Sequence, residues 1–405
     1  MSNECVEVGS KLGKLTICMS RPSEDEIKRF REELEHHSKI YKVVKETGEW
    51  WRLWEAEYDK DIADPQLRNF IYFAIHVLKE VFDHVWFRDV LKRGHPIMFY
   101  FLAPNPYLLG KMASLALALH ILRQHNKLSE LDIKMLRNPD GFISKVYEFI
   151  VLAYLLLAHG ELQREFELGV SGGGRPDAKV GDLYIEIKAL EIADDERRRH
   201  EAIDEEIREA LEPCLHEISG VLVCDVDLGN PQDIEELVQR VTTAKEILSN
   251  THLEEGVKEI SRDSVRVAIK YVPHQQIKAI SINITNYGNT LALEFYRIVR
   301  KLAKVAKQAP GDAPLIAIIK PSIPLPILVT TNGENVARSI FSSALHLNPK
   351  VMQIKELWID LTELATAFAQ LKAENSLIEQ LAIELYFNLI NRVFVKLSNP
   401  FFQKI

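Results

Sequence analysis

The sharpest alternation of apolar and polar positions lies at Leu183–Leu190, LYIEIKAL. Leu183, Ile185, Ile187 and Ala189 share one face of an extended segment, and Tyr184, Glu186 and Lys188 share the other. This predicts a β-strand with one apolar, buried side. The preceding run, Arg175 to Val180, also alternates, with Pro176, Ala178 and Val180 on one side and Arg175, Asp177 and Lys179 on the other. Gly181-Asp182 separates the two runs, and glycine at the first of two central positions predicts a type II′ hairpin. A two-residue loop pairs Val180 with Leu183, hence Ala178 with Ile185 and Asp177 with Glu186. The Cβ atoms of a facing pair are then about 4.5–5.5 Å apart. Lys188 follows one pleat further along the same face.

Elsewhere the period changes. Ser144–His159, SKVYEFIVLAYLLLAH, closed by Gly160, predicts a buried helix. From Val146 to Ala158 its only charged residue is Glu148. Residues 1–140 read as a mainly helical domain. One helical run follows Pro22, opening with Ser23 and acids as helix starts do, and others cover 64–94 and 105–125. Trp50 and Trp54 share a helix face, where packing within the domain outweighs stacking on bases. Residues 141–275 are expected to form the core: a first strand at 162–170, the hairpin, a charged helix at 194–218, a strand at 220–228, a helix after Pro231 and a strand at 264–272. Residues 276–405 continue as α/β and are expected to extend the core. They hold an amphipathic helix at 289–308, buried strands in APLIAIIKPS and IKELWIDL, and a closing helix with room for a strand at its end. PGDAP, 310–314, reads as a tight turn. The expected fold class is α/β, with a mixed-sheet core flanked by helices.

Composition bounds these readings. A chain of 405 residues, 47% of them hydrophobic, is long enough for more than one domain and apolar enough for a large core. No run reaches the ~18 apolar residues of a membrane span, the longest being Phe149–Ala158. Glu4 and Glu7 do not fit a signal peptide, so no membrane role and a cytoplasmic location are expected. Cys5, Cys18, Cys214 and Cys224 form neither a CxxC pair nor a disulfide framework. The 13 histidines include no HExxH zinc motif. The formal charge of −8 is opposite in sign to that of proteins that coat nucleic acid. It is compatible with an enzyme that meets DNA through a small cleft or with a protein partner.

Like charges facing each other across a strand pair are unfavourable. A divalent cation reverses that interaction, because hard cations take carboxylate oxygens. With a lysine beside them to orient a water or balance phosphate charge, Asp177, Glu186 and Lys188 read as a place where a metal meets a phosphodiester. Pro176-Asp177 and Glu186-Ile187-Lys188 resemble the signature of the PD-(D/E)xK, or restriction-endonuclease-like, nuclease superfamily. The resemblance covers about residues 144–228, where the elements follow the family's order of helix, three strands, helix, strand. The SGGGRPD lead-in is similar to that of archaeal Holliday-junction resolvases, which are much smaller proteins.

This resemblance implies a Mg²⁺- or Mn²⁺-dependent nuclease that hydrolyses DNA phosphodiester bonds, expected to be an endonuclease of repair, recombination or restriction. RNA stays open as a substrate, and a homodimer or protein partner is compatible. It further implies that Asp177, Glu186 and the Ile187 carbonyl hold the metal, and that Lys188 positions the attacking water or stabilises charge on the phosphate. Glu148 stands where the family often carries a Glu on its first helix, and would hold a second ion or the first one's water. No Gln-x-x-x-Tyr follows the ExK strand, so the RecB-like exonuclease branch is not matched. Arg175 and the basic face Arg297, Arg300, Lys304 and Lys307 are candidate phosphate contacts, with a solvated helix as the even alternative. Arg197-Arg198-Arg199-His200, interleaved with acids, reads as a solvated face. The alternative function is a catalytically idle nucleic-acid-binding or scaffold protein that retains the nuclease fold.

Overall fold

The structure, a computed structural model, describes residues 3–10, 13–20, 38–61, 65–102, 106–168, 175–190, 203–211, 220–251, 254–273, 278–286, 290–309, 313–322, 325, 333–370 and 377–402. The chain divides into two units, Met1–Leu109 and Gly110–Ile405. The first begins with an antiparallel pair, β1 (Asn3–Ser10) and β2 (Gly13–Ser20), that a purely helical reading passes over. Helices follow at 38–47, Trp51–Asp61, Pro65–Val81, His84–Arg93 and Ile97–Leu102. Asp83 starts the fourth of these by accepting the Trp86 N–H at 2.9 Å. Trp50 and Trp54 are buried core residues. The Trp50 ring stacks on Phe101 at 3.9 Å, and its indole N–H donates to the Phe82 carbonyl at 2.8 Å. Neither tryptophan is available to stack on a base.

The second unit holds two mixed sheets flanked by helices. Six strands form the larger sheet: β3 (Gln163–Arg164), β4 (Ala178–Val180), β5 (Leu183–Ala189), β10 (Leu315–Lys320), β11 (Ile354–Asp360) and β12 (Phe394–Ser398). Their spatial order is β12-β11-β10-β5-β4-β3. β3, β4 and β5 form an antiparallel meander, β5, β10 and β11 run parallel, and β12 returns antiparallel. β10, LIAIIK, is buried on both faces, as a continuous apolar run between parallel neighbours should be. The smaller sheet comprises β6 (Gly220–Asp227), β7 (Gly256–Arg262), β8 (Val265–Pro273) and β9 (Lys278–Thr285), in the order β7-β8-β6-β9. Leu222, Cys224 and Val226 from this sheet join Leu315, Ala317 and Ile319 of the larger one in a single core cluster.

Two sequence expectations need correction, and a third falls mostly outside the described residues. The strand at 220–227 forms, but in the smaller sheet, and the neighbour of β5 is β10. The strand expected over 162–170 is two residues long. The Glu167 carboxylate accepts the Arg164 N–H at 2.6 Å, and the chain turns into a short 3₁₀ helix at Glu165–Glu167. The expected helix at 194–218 is described only at 203–211, where it is helical. Its Arg197–His200 segment and residues 310–312 of PGDAP lie outside the described residues, as does Cys214.

Helix Phe142–His159 is long and apolar enough, by length and composition, to cross a membrane. Here its Val146–Leu156 stretch is largely buried, and Gly160 ends it with φ 76°. Tyr147 anchors this helix. Its hydroxyl donates to Asp360 Oδ2 at 2.8 Å at the end of β11, and Asp360 is also ion-paired with Arg392. Burial and the Asp360 charge raise the Tyr147 pKa well above that of a free tyrosine, so it stays a donor. The neighbouring residue on the helix is Glu148.

Candidate active site

The hairpin has the register that its two-residue loop requires: Val180 opposes Leu183, Lys179 opposes Tyr184 and Ala178 opposes Ile185. Gly181 takes φ 55°, the positive value demanded of the first central residue. Beyond Ala178 the ladder stops. Two residues further, the register would set Pro176 against Ile187, and a proline has no N–H to give to the Ile187 carbonyl. The Ile187 N–H donates instead to Asp177 Oδ2 at 2.7 Å, while the Asp177 N–H donates to Glu186 Oε2 at 3.2 Å. Each carboxylate is thus held by the main chain of the opposite strand. On the other edge of β5, Tyr184 N–H donates to Pro314 O and Leu190 N–H to Lys320 O. Backbone groups alternate sides along a strand, so those of Ile187 point away from β10, toward the Asp177 side.

Sequence pattern placed Glu186 on a polar face. It is 1% exposed, because β10 and the core cluster continue across that face, and Asp177 is 8% exposed. Lys188 compensates the two charges. Its Nζ lies 3.4 Å from Asp177 Oδ2 and is ion-paired with Glu186 Oε1, so one ammonium bridges both carboxylates. Burial, reinforced by the Asp177 charge and opposed by Lys188, pushes Glu186 up to about 8. Burial would pull Lys188 down, but Asp177, Glu186 and Glu148 together raise it.

Glu148 is also buried, and its oxygens are engaged by Lys145 Nζ at 2.6 Å and Arg164 Nη2 at 3.6 Å. Burial and Asp177 push it up to about 7, against the pull of Lys145 and Arg164. Arg164, 2% exposed on β3, also grips Asp132 Oδ1 at 3.1 Å and donates to the Lys127 carbonyl at 2.9 Å. Lys145 and Arg164 were not singled out from sequence. The only signal for Lys145 was its position three residues before Glu148 on a helix. Arg164 had none, because its side-chain partners Lys127, Asp132 and Glu148 come from separate upstream elements.

These residues fit a small hard cation. Two carboxylates from adjoining strand segments already share one positive group, and the ladder leaves the Ile187 carbonyl beside them. Among the described residues, no group of three or more His, Cys, Asp or Glu side chains is arranged to share a metal. Glu148 is near enough to Asp177 for the two charges to interact. Two carboxylates suit Mg²⁺, which keeps several of its waters.

The expected basic face on helix Thr290–Val305 needs correction. Arg300 is buried, paired with Glu206 at 2.9 Å and Glu205 at 3.2 Å. Arg297 is paired with Glu294 at 3.0 Å and donates to Ser322 Oγ at 2.6 Å. Arg297 thus meets an acid of its own helix and Arg300 acids of the 203–211 segment, so neither side chain is presented to solvent as a free cation. Lys304 and Lys307 are exposed, with Glu205 3.5 Å from Lys304. Arg175, two residues before Asp177, is exposed, and its N–H donates to Gln308 Oε1 at 3.0 Å. No family model, curated protein or solved structure matches the chain.

Proposed function

We propose that the protein is a metal-dependent nuclease that hydrolyses DNA phosphodiester bonds with a PD-(D/E)xK site built from Asp177, Glu186 and Lys188. The observation that carries this reading is the bridged pair of buried carboxylates at the point where β4 and β5 part, with the Ile187 carbonyl beside them. The order of elements supports it. Helix Phe142–His159, the β3-β4-β5 meander, helix Thr290–Val305 and the parallel strand β10 follow the helix, three strands, helix, strand of the superfamily core. In this reading β6 to β9 are an insertion between the third and fourth core strands.

Asp177, Glu186 and the Ile187 carbonyl would hold Mg²⁺ or Mn²⁺. A bound ion of this kind polarises the scissile phosphate and lowers the pKa of a coordinated water. Lys188 stabilises the charge that develops on the phosphate oxygens. Glu148, held by Lys145 and Arg164, orients water from the helix side. Arg175 is the basic residue nearest Asp177 in sequence that remains exposed for a backbone phosphate. An acidic chain with so few free cations here would engage DNA locally and not along an extended track.

The test is a panel of labelled linear, branched and single-stranded DNA, with RNA beside it, incubated with Mg²⁺ or Mn²⁺. Cleavage of at least one DNA should require the metal and stop with EDTA. Alanine at Asp177, Glu186 or Lys188 should each lower the rate about 10²-fold or more. Cleavage that persists undiminished in all three variants would sink the assignment.

A further inference from the structure

Lys188 is the only side chain seen to touch both Asp177 and Glu186 among the described residues, and it touches them from between. A positive group in contact with both carboxylates lies where a shared divalent cation would have to sit. The two cannot hold that place together, because ammonium and metal ion would repel at contact distance in a poorly solvated site. The lysine has somewhere to go. Its side chain is 28% exposed, against 11% for Asp177 and 2% for Glu186, and its four-carbon stem is flexible. The carboxylates have no such freedom, since main-chain N–H groups of opposite strands hold them.

We propose that Lys188 is the resident cation of this site, standing in for the divalent metal in the metal-free protein and setting metal affinity by competing for the same two carboxylates. The proposal rests on the metal-site reading above and adds to it. The lysine offsets part of the negative charge of the metal-free site, and it weakens metal binding by that interaction. Metal entry then releases its ammonium toward solvent, the side from which a phosphodiester must approach. One side chain thereby couples occupancy of the metal position to readiness for the substrate phosphate.

The test needs no substrate. Mn²⁺ binding to the whole chain is titrated by the electron paramagnetic resonance signal of the free ion, with Mg²⁺-induced shifts in melting temperature as a second readout. Lys188→Met removes the competitor and keeps the apolar stem, and should bind Mn²⁺ at least about tenfold more tightly than the wild type. Lys188→Arg keeps the charge on a group that grips carboxylates in a fork, and should bind no more tightly than the wild type. A Lys188→Met protein that folds only with Mn²⁺ present supports the proposal, because the ion has then taken over neutralisation. One that fails to fold with or without Mn²⁺ overturns it, as does one that binds Mn²⁺ no more tightly than the wild type. Absence of Mn²⁺ binding by both wild type and Lys188→Met would overturn the metal site itself, which separates failure of the function reading from failure of the lysine's role.

Discussion

Glu186 combines two demands that conflict in the absence of metal: it is almost fully buried, and it sits against Asp177. Its pKa near 8, and that of Glu148 near 7, express that conflict. Both folded-state values lie above that of a free carboxylate. The metal-free fold is therefore favoured where these groups are protonated. Their contribution is complete below the ordinary carboxylate range and is lost as pH rises through about 7 and then about 8. At the proposed site metal binding would have the opposite slope, because it would require the anions and release protons. Apparent Mg²⁺ affinity should climb from about pH 6 to about pH 8 and level off above. Calorimetry in two buffers of different ionisation enthalpy would measure both the affinity and the proton release, and an affinity flat across this range would contradict the assignment. At this scale the sequence was informative about Asp177, Glu186 and Lys188, because twelve consecutive positions and one two-residue loop fix their relation. It was silent on the grip of Arg164 on Asp132 and Glu148, which depends on folding segments far apart in the chain.

Helix Thr290–Val305 shows how an element can be recognised while its orientation is not. Amphipathic spacing predicted the helix and placed Arg297, Arg300, Lys304 and Lys307 together. Periodicity identifies which residues share a face, but whether that face meets water or acids depends on the packing partner. Here Glu205 and Glu206, on the helical segment 203–211, meet Arg300. Arg300→Met should consequently cost about 2 kcal/mol in urea unfolding, because buried Glu206 would lose its guanidinium and keep only Lys245. Lys307→Gln, at an exposed position, should change stability by less than about 0.5 kcal/mol. Equal effects of the two substitutions would return Arg300 to the surface. The short β3 carries the same lesson. A first strand was expected over 162–170, and a side chain three residues ahead captured the backbone N–H of Arg164 as the chain turned away.

For the molecule as a whole, the larger sheet is assembled from two stretches of chain. The meander that carries Asp177, Glu186 and Lys188 ends at Ala189, and its neighbour β10 begins at Leu315. A chain cut after residue 275 would retain every proposed metal ligand yet lose β10, β11 and β12 and expose the buried edge of β5. Residues 110–275 alone should show no cooperative melting by calorimetry, whereas residues 110–405 should. A sharp transition in the shorter piece would mean that the meander and the smaller sheet suffice. Sequence pattern identified β10 and β11 as buried strands, but the partner of a buried strand is a matter of topology, which periodicity does not encode. The separation of β5 from β10 also has a meaning in time. On a ribosome the β4–β5 hairpin emerges about 125 residues before the strand that covers its edge, a wait of roughly 6–25 s at ordinary rates of synthesis. For that interval two acids and an unpaired β edge face solvent or a chaperone, so this hairpin is the part of the nascent chain with most to gain from early shelter.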